Sequence, residues 1–156
     1  MNEPGTGATS RVLGGRLWAG GAASACVAAL VAVVGILVAR GLLDIPVLAP
    51  RRAGTWGGAS TLTYALVSAA VALAATALLH LLLLTTPRAR AFFGWIMVLL
   101  TAIAVVVPLG LSAALDARLA TAILNLAIGL SVTVTLSGVA GSAIVRGTAP
   151  TTYPYP

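Results

Sequence analysis

Residues 61–84 read TLTYALVSAAVALAATALLHLLLL. The stretch contains no Asp, Glu, Lys or Arg, and as a helix rising about 1.5 Å per residue it is long enough to cross a hydrocarbon core of about 30 Å. Its apolar residues are continuous and do not alternate with period two, so it does not read as a strand of a membrane β-barrel. A helix satisfies its own backbone hydrogen bonds in lipid, where a strand edge could not. Working outward, three further runs have the same character: 17–39, 92–115 and 119–145. The expected fold class is therefore all-α, an integral membrane bundle of four transmembrane helices at about 17–39, 61–84, 92–115 and 119–145. A tail at 1–16 precedes this 17–145 domain and another at 146–156 follows it.

Composition agrees. The chain of 156 residues is 60% hydrophobic and 8% charged, with mean hydropathy +1.07, where soluble domains average about 25% charged. The net charge of +6 comes from nine basic residues, every one an Arg, and three acidic residues. Those arginines (11, 16, 40, 51, 52, 88, 90, 118 and 146) lie at or beyond the ends of the apolar runs, where guanidinium groups meet lipid phosphates. Nucleic-acid binding would need them clustered on one face, so no nucleic-acid partner is expected. Arg without Lys in an Ala-, Gly- and Val-rich chain points to a GC-rich, bacterial source. The first run, at 23 residues, exceeds the apolar core of a signal peptide, about 7–15 residues. Cys26, after Ala23-Ser24-Ala25, lies inside that run and reads as an ordinary buried thiol.

The connection 41–60 is longer than the others and partly extended. Pro46 and Pro50 forbid helix there and favour an extended or turn geometry with a very short edge strand. The apolar stretch Leu42–Leu48 favours a segment lying on the bundle as an ordered outer cap. Opposite charges suggest the contacts that orient it: Asp116 with Arg51 or Arg52, and Asp44 with Arg118. The connection near 116–118 reads as a tight helical hairpin. Four crossings put both termini on one side, and the arginine bias, five to four, puts that side in the cytoplasm of a bacterial plasma membrane.

Two strongly polar side chains fall within the spans, His80 and Asn125. His80 extends a row of Ser68, Ala72 and Thr76 on the second helix. Asn125 opens a row through Gly129, Thr133, Ser137 and Gly141 on the fourth, and the first helix carries Gly20, Ser24, Ala28 and Ala32 at the same spacing. Such rows serve as helix contact surfaces, with Gly20, Ser24, Gly129 and Gly141 allowing close approach. The alternative is that Ser68, Thr76 and His80 face Asn125, Thr133 and Ser137 to line a polar seam between helices 2 and 4. Pro108 interrupts the third helix and frees the carbonyl of Ala104, kinking it about two turns before its end. One His and one Cys supply too few ligands for a metal site, and one titratable group makes no proton relay. A triad of Ser68 or Ser112 with His80 and Asp116 fails because Asp116 and His80 belong to opposite faces of the bilayer. No catalytic residue, metal or cofactor is expected.

Several features resemble a family of small bacterial membrane proteins of unknown function. They are the extended Asp44-Ile45-Pro46-Val47, the basic turn Pro87-Arg88-Ala89-Arg90 before Phe93 and Trp95, Pro108, and Asn125 early in the last helix. The resemblance covers about four fifths of the chain and implies four helices with a longer first connection, but no functional residues. The expected role is a non-enzymatic structural or accessory protein, partnered by the lipid bilayer and by other membrane helices or copies of itself. The alternative is a small carrier or oligomeric pore using the polar seam.

Overall fold

A computed structural model of the chain describes residues 14–50, 56–58 and 60–142. The tails up to residue 13 and from residue 143, together with Arg51 and Arg52, lie outside the described residues. Helix α1 (Gly14–Leu37) runs into a π-helical turn, Val38–Leu42. A short antiparallel ribbon of β1 (Leu48–Pro50) and β2 (Trp56–Gly58) follows, with Leu48 opposite Gly58 and Pro50 opposite Trp56. Then come α2 (Thr61–Thr85), α3 (Ala89–Leu109) and α4 (Leu115–Ser142). All four helices are long and apolar enough to cross a membrane. The chain folds as a small four-helix membrane bundle.

Two helix ends differ from the sequence reading, each for a local reason. The third helix stops at Leu109, not near residue 115, so Pro108 sits in its last turn and does not kink a continuing helix. The Gly110 N–H closes that turn onto the Val106 and Val107 carbonyls, at 3.3 and 3.2 Å. The hairpin between α3 and α4 is consequently Gly110–Ala114. Asp116 and Arg118, placed by the sequence in the turn itself, fall in the first turn of α4. There the Asp116 carboxylate accepts the Ala117 N–H at 2.8 Å, an acid at the end of the helix where free N–H groups favour one.

At the end of α1, Asp44 adopts the left-handed conformation, φ 52°. The chain closes around it, with the Leu43 N–H on the Val38 carbonyl and the Ile45 N–H on the Ala39 carbonyl, at 3.2 and 2.7 Å. Asp is among the few residues other than Gly that tolerate this conformation, and a proline soon afterward is the usual companion of such a stop.

Helix α1 packs most extensively against α2 and α4, and α3 against α4, while α2 and α3 touch far less. The core is built of small side chains and a few large ones: Ala28, Ala32, Ala72, Thr76 and Ala140 with Leu17, Ile36, Leu79, Phe93 and Leu136. A Cβ at Gly21 would collide with the Thr76 side chain, and one at Gly129 with Thr101. Backbones therefore approach closely at α1–α2 and at α3–α4, as small residues permit where lipid offers no hydrophobic drive between helices. Large side chains such as Leu30, Leu66, Trp95 and Val134 point outward, which is the stable arrangement when the solvent is itself apolar. Cys26, expected to be buried, is exposed on the outer side of α1. The core face of α1 is filled by residues one and two positions away from it, Ala25 and Ala28.

Candidate functional site

The most connected polar group lies at the end of the bundle that carries the ribbon, and it begins with Pro108. Proline has no N–H, so the carbonyl four residues earlier, Ala104, loses its helical partner. The Asn125 side chain of α4 supplies one, its amide nitrogen donating to that carbonyl at 2.7 Å. The Asn125 side-chain oxygen in turn accepts the Tyr64 hydroxyl of α2. One residue thus ties three helices together at a depth where water is scarce and an unpaired carbonyl is costly.

One turn outward on α4, Thr121 joins the connecting segment to the bundle. Its hydroxyl donates to the Ala117 carbonyl at 2.7 Å and accepts the Leu48 N–H of β1 at 2.9 Å. Val47 beside it is fully buried and Leu48 nearly so, whereas Leu42 and Leu43 are exposed. Two of the apolar residues expected to dock therefore do so, and the first two extend away from the core.

The residues singled out by the sequence are distributed over two faces. On α2, Thr76 meets Gly21 of α1 and His80 accepts the Trp18 indole N–H at 3.3 Å, the rings edge to face with centroids 6.4 Å apart. Those two residues turn toward α1, whereas Ser68 of the same row lines a cavity shared with Asn125 and Gly129 of α4. On α4, Gly129 meets Thr101, and Arg90 of α3 donates to the Ser137 carbonyl at 3.4 Å beside Gly141. That row turns toward α3. The hydroxyls of Ser24, Ser68, Thr76 and Thr133 each donate to the carbonyl four residues back, at 2.7 to 2.9 Å. Asn125 and His80 lie near opposite ends of the bundle and have separate partners.

Of the charged contacts expected at the outer loop, Arg51 and Arg52 lie outside the described residues. Asp44 is exposed and acts as the left-handed stop described above. Arg118 donates instead to the Leu111 carbonyl of the α3–α4 turn at 3.0 Å. Among the described residues, no group of three metal-ligating side chains occurs.

Between α2, α3 and α4 lies a cavity of about 560 Å³, lined by Val67, Val71, Leu78, Met97, Leu100, Ile128 and Val132, with Tyr64, Thr121 and Asn125 at its ribbon end and Leu48 over it. Along the opposite side, α1 and α4 leave a second groove, with Gly20, Ala23, Ser24 and Gly138 in the half away from the ribbon and Gly35, Ala120 and Ala127 in the half nearer to it. Sequence reasoning missed Tyr64 and Thr121. Both carried a signal, since Tyr64 lies one turn before Ser68 on the α2 row and Thr121 one turn before Asn125.

No curated protein and no solved structure matches the chain. The model of one family, described as a family of unknown function (DUF6069), matches residues 13–142, from the start of α1 to the end of α4. A match over the entire bundle makes this chain a member of the DUF6069 family of unknown function.

Proposed function

We propose that the protein is a non-enzymatic accessory component of a bacterial plasma membrane, with both termini cytoplasmic, and that it receives a transmembrane helix of another membrane protein in the groove between α1 and α4. The observation that carries this reading is the floor of that groove. Ala23 and Gly138 are exposed on it from two helices, and nothing lies within 4 Å of a Cβ built at Gly138, whereas at Gly20 the Val139 side chain already fills the space and Ser24 is buried. Small residues in this setting let an incoming backbone come close enough for van der Waals contact to hold it in lipid. The carrier reading draws less support, because the hydroxyls of Ser68, Thr76 and Thr133 are turned back onto their own helices.

Cys26 is the natural probe, since it is the single thiol and is exposed between Ala23 and Val27, both of which line the groove. A photoreactive maleimide attached there in native membranes should yield one discrete protein adduct, and Gly138→Trp, which fills the groove floor, should abolish it. An adduct pattern unchanged by Gly138→Trp, or adducts with lipid alone, would exclude a helix seated in this groove.

A further inference from the structure

The end of the bundle away from the ribbon carries a contact between two ring side chains whose chemistry depends on a proton. The Trp18 indole N–H of α1 donates to the His80 Nδ1 of α2 at 3.3 Å, with the rings edge to face. An indole nitrogen can only donate, so His80 must present a lone pair at Nδ1 and carry its own proton on Nε2. A second proton would make both imidazole nitrogens donors and set N–H against N–H. The pair is within reach of water, because Trp18 is exposed, His80 is half-buried, and His80 lies in the second-last turn of α2.

The charged groups around the pair do not compensate for that loss. Among the described residues, α1 brings Arg16 and α3 brings Arg88 and Arg90, all of them exposed cations, and Arg90 is turned to the Ser137 carbonyl of α4. The other titratable side chains stand elsewhere. Cys26 lies two turns deeper on the exposed side of α1, and Arg40, Asp44, Tyr64, Asp116 and Arg118 belong to the ribbon end. An imidazolium at His80 therefore gains no carboxylate of these residues in exchange for the bond it gives up.

The segment held by this bond is a weak helix in its own right. Gly14 and Gly15 precede it and Gly20 and Gly21 follow it, and glycine is the poorest helix former after proline. At Gly20 and Gly21 the α1 backbone is pressed against Val139 and Thr76. Backbone packing thus clamps α1 from the second glycine pair onward, and the turn before that pair depends on the buried Leu17 and on Trp18.

We propose that the Trp18–His80 hydrogen bond is a proton-sensitive latch. It holds the start of α1 on α2 while His80 is neutral and releases that turn, as far as the Gly20–Gly21 pair, when the imidazole takes a second proton from the adjoining water.

Nuclear magnetic resonance of the nitrogen-labelled full chain in detergent micelles tests this, between about pH 8 and about pH 5, the interval in which imidazole changes charge. The chain's three tryptophans give three indole N–H signals, and loss of one in Trp18→Phe identifies that of Trp18. On acidification this signal should move upfield as the bond is lost. The backbone amides of Trp18, Ala19 and Gly20, corrected for the intrinsic pH dependence of exchange, should exchange about fivefold faster, the effect of one ordinary hydrogen bond. His80→Gln keeps an acceptor and cannot be protonated, so both readouts should stay at their neutral values throughout. His80→Leu has no acceptor, so both should stay at their acidic values. A Trp18 signal that stays still in the unmodified chain, or moves equally in His80→Leu, would overturn the proposal. So would a moving signal with unchanged amide exchange, which is a contact that holds nothing, or exchange accelerated equally in all four helices, which is general unfolding.

Discussion

At the scale of the residue, the consequential feature is a missing proton. Pro108 removes one backbone donor, and Asn125, from another helix and 17 positions along the chain, makes good the loss. Asn125→Leu should therefore leave both the Ala104 carbonyl and the Tyr64 hydroxyl without their partner and destabilise the bundle by about 1–3 kcal/mol. Pro108→Ala restores an N–H that can reach Ala104 along the helix, so the carbonyl no longer depends on Asn125. The two changes together should cost less than the sum of the separate costs, by about 0.6 kcal/mol and at most about 1.7. Denaturant unfolding in detergent of the four members of this cycle measures the coupling, and strict additivity would show that the Asn125 bond to Ala104 contributes nothing. Sequence alone exposes both halves of this pair, the freed carbonyl of Ala104 and the intramembrane amide of Asn125. What joins them is the antiparallel pairing of α3 and α4, which brings the end of one beside the start of the other.

At the scale of the element, glycines on a single helix have unlike surroundings. Gly129 is pressed against Thr101 while Gly138 faces open space. Gly129→Leu should overpack the α3–α4 contact and lower stability by about 1–3 kcal/mol, whereas Gly138→Leu should leave the thermal midpoint of the isolated chain nearly unchanged. Equal midpoints for the two would mean that the α4 row does not contact α3. The connecting segment makes a similar contrast, since Val47 is fully buried and Leu43 is 60% exposed. Val47→Asp puts a carboxylate where no water reaches and should speed hydrogen exchange at the Leu48 amide strongly, while Leu43→Asp should alter it little. Thr121→Val keeps the side-chain shape but removes the acceptor of the Leu48 N–H, so it too should speed exchange there. Exchange at Leu48 as fast as in an unfolded peptide before any substitution would mean that β1 is not docked. The end of α3 shows why helix boundaries were less legible than helices: an apolar run continues through Gly110 to Leu115, and hydropathy does not register that Pro108 and Gly110 have already ended the backbone ladder.

At the scale of the whole molecule, the bundle has one end bearing the ribbon, Thr121 and the Pro108–Asn125 connection, and another bearing Trp18, His80 and Arg90. The proposed orientation places the second end in the cytoplasm, on a bias of five arginines to four together with the dense pair Arg88 and Arg90. In a Cys26→Ala background, Ser112→Cys should react with an impermeant maleimide added from outside, and Pro87→Cys should not; both positions are exposed. The reverse pattern would invert the protein. The sequence by itself determined that the chain crosses a membrane, how many times, and roughly where, because in lipid the length of an apolar run and the need to satisfy every backbone group leave hardly any alternative. It determined as well that Asn125 and the Ala104 carbonyl each needed a partner. Only the tertiary structure decided which partners they found and how the rows meet: the α2 row meets α1 at Thr76 and His80 but α4 at Tyr64, and the α4 row meets α3 at Gly129 and Ser137. The physical reason is that a helix in lipid has no single apolar stripe to mark its inner face. The rotation of each helix is settled by where small side chains let two backbones meet, which is a property of pairs of helices that no one run of sequence contains.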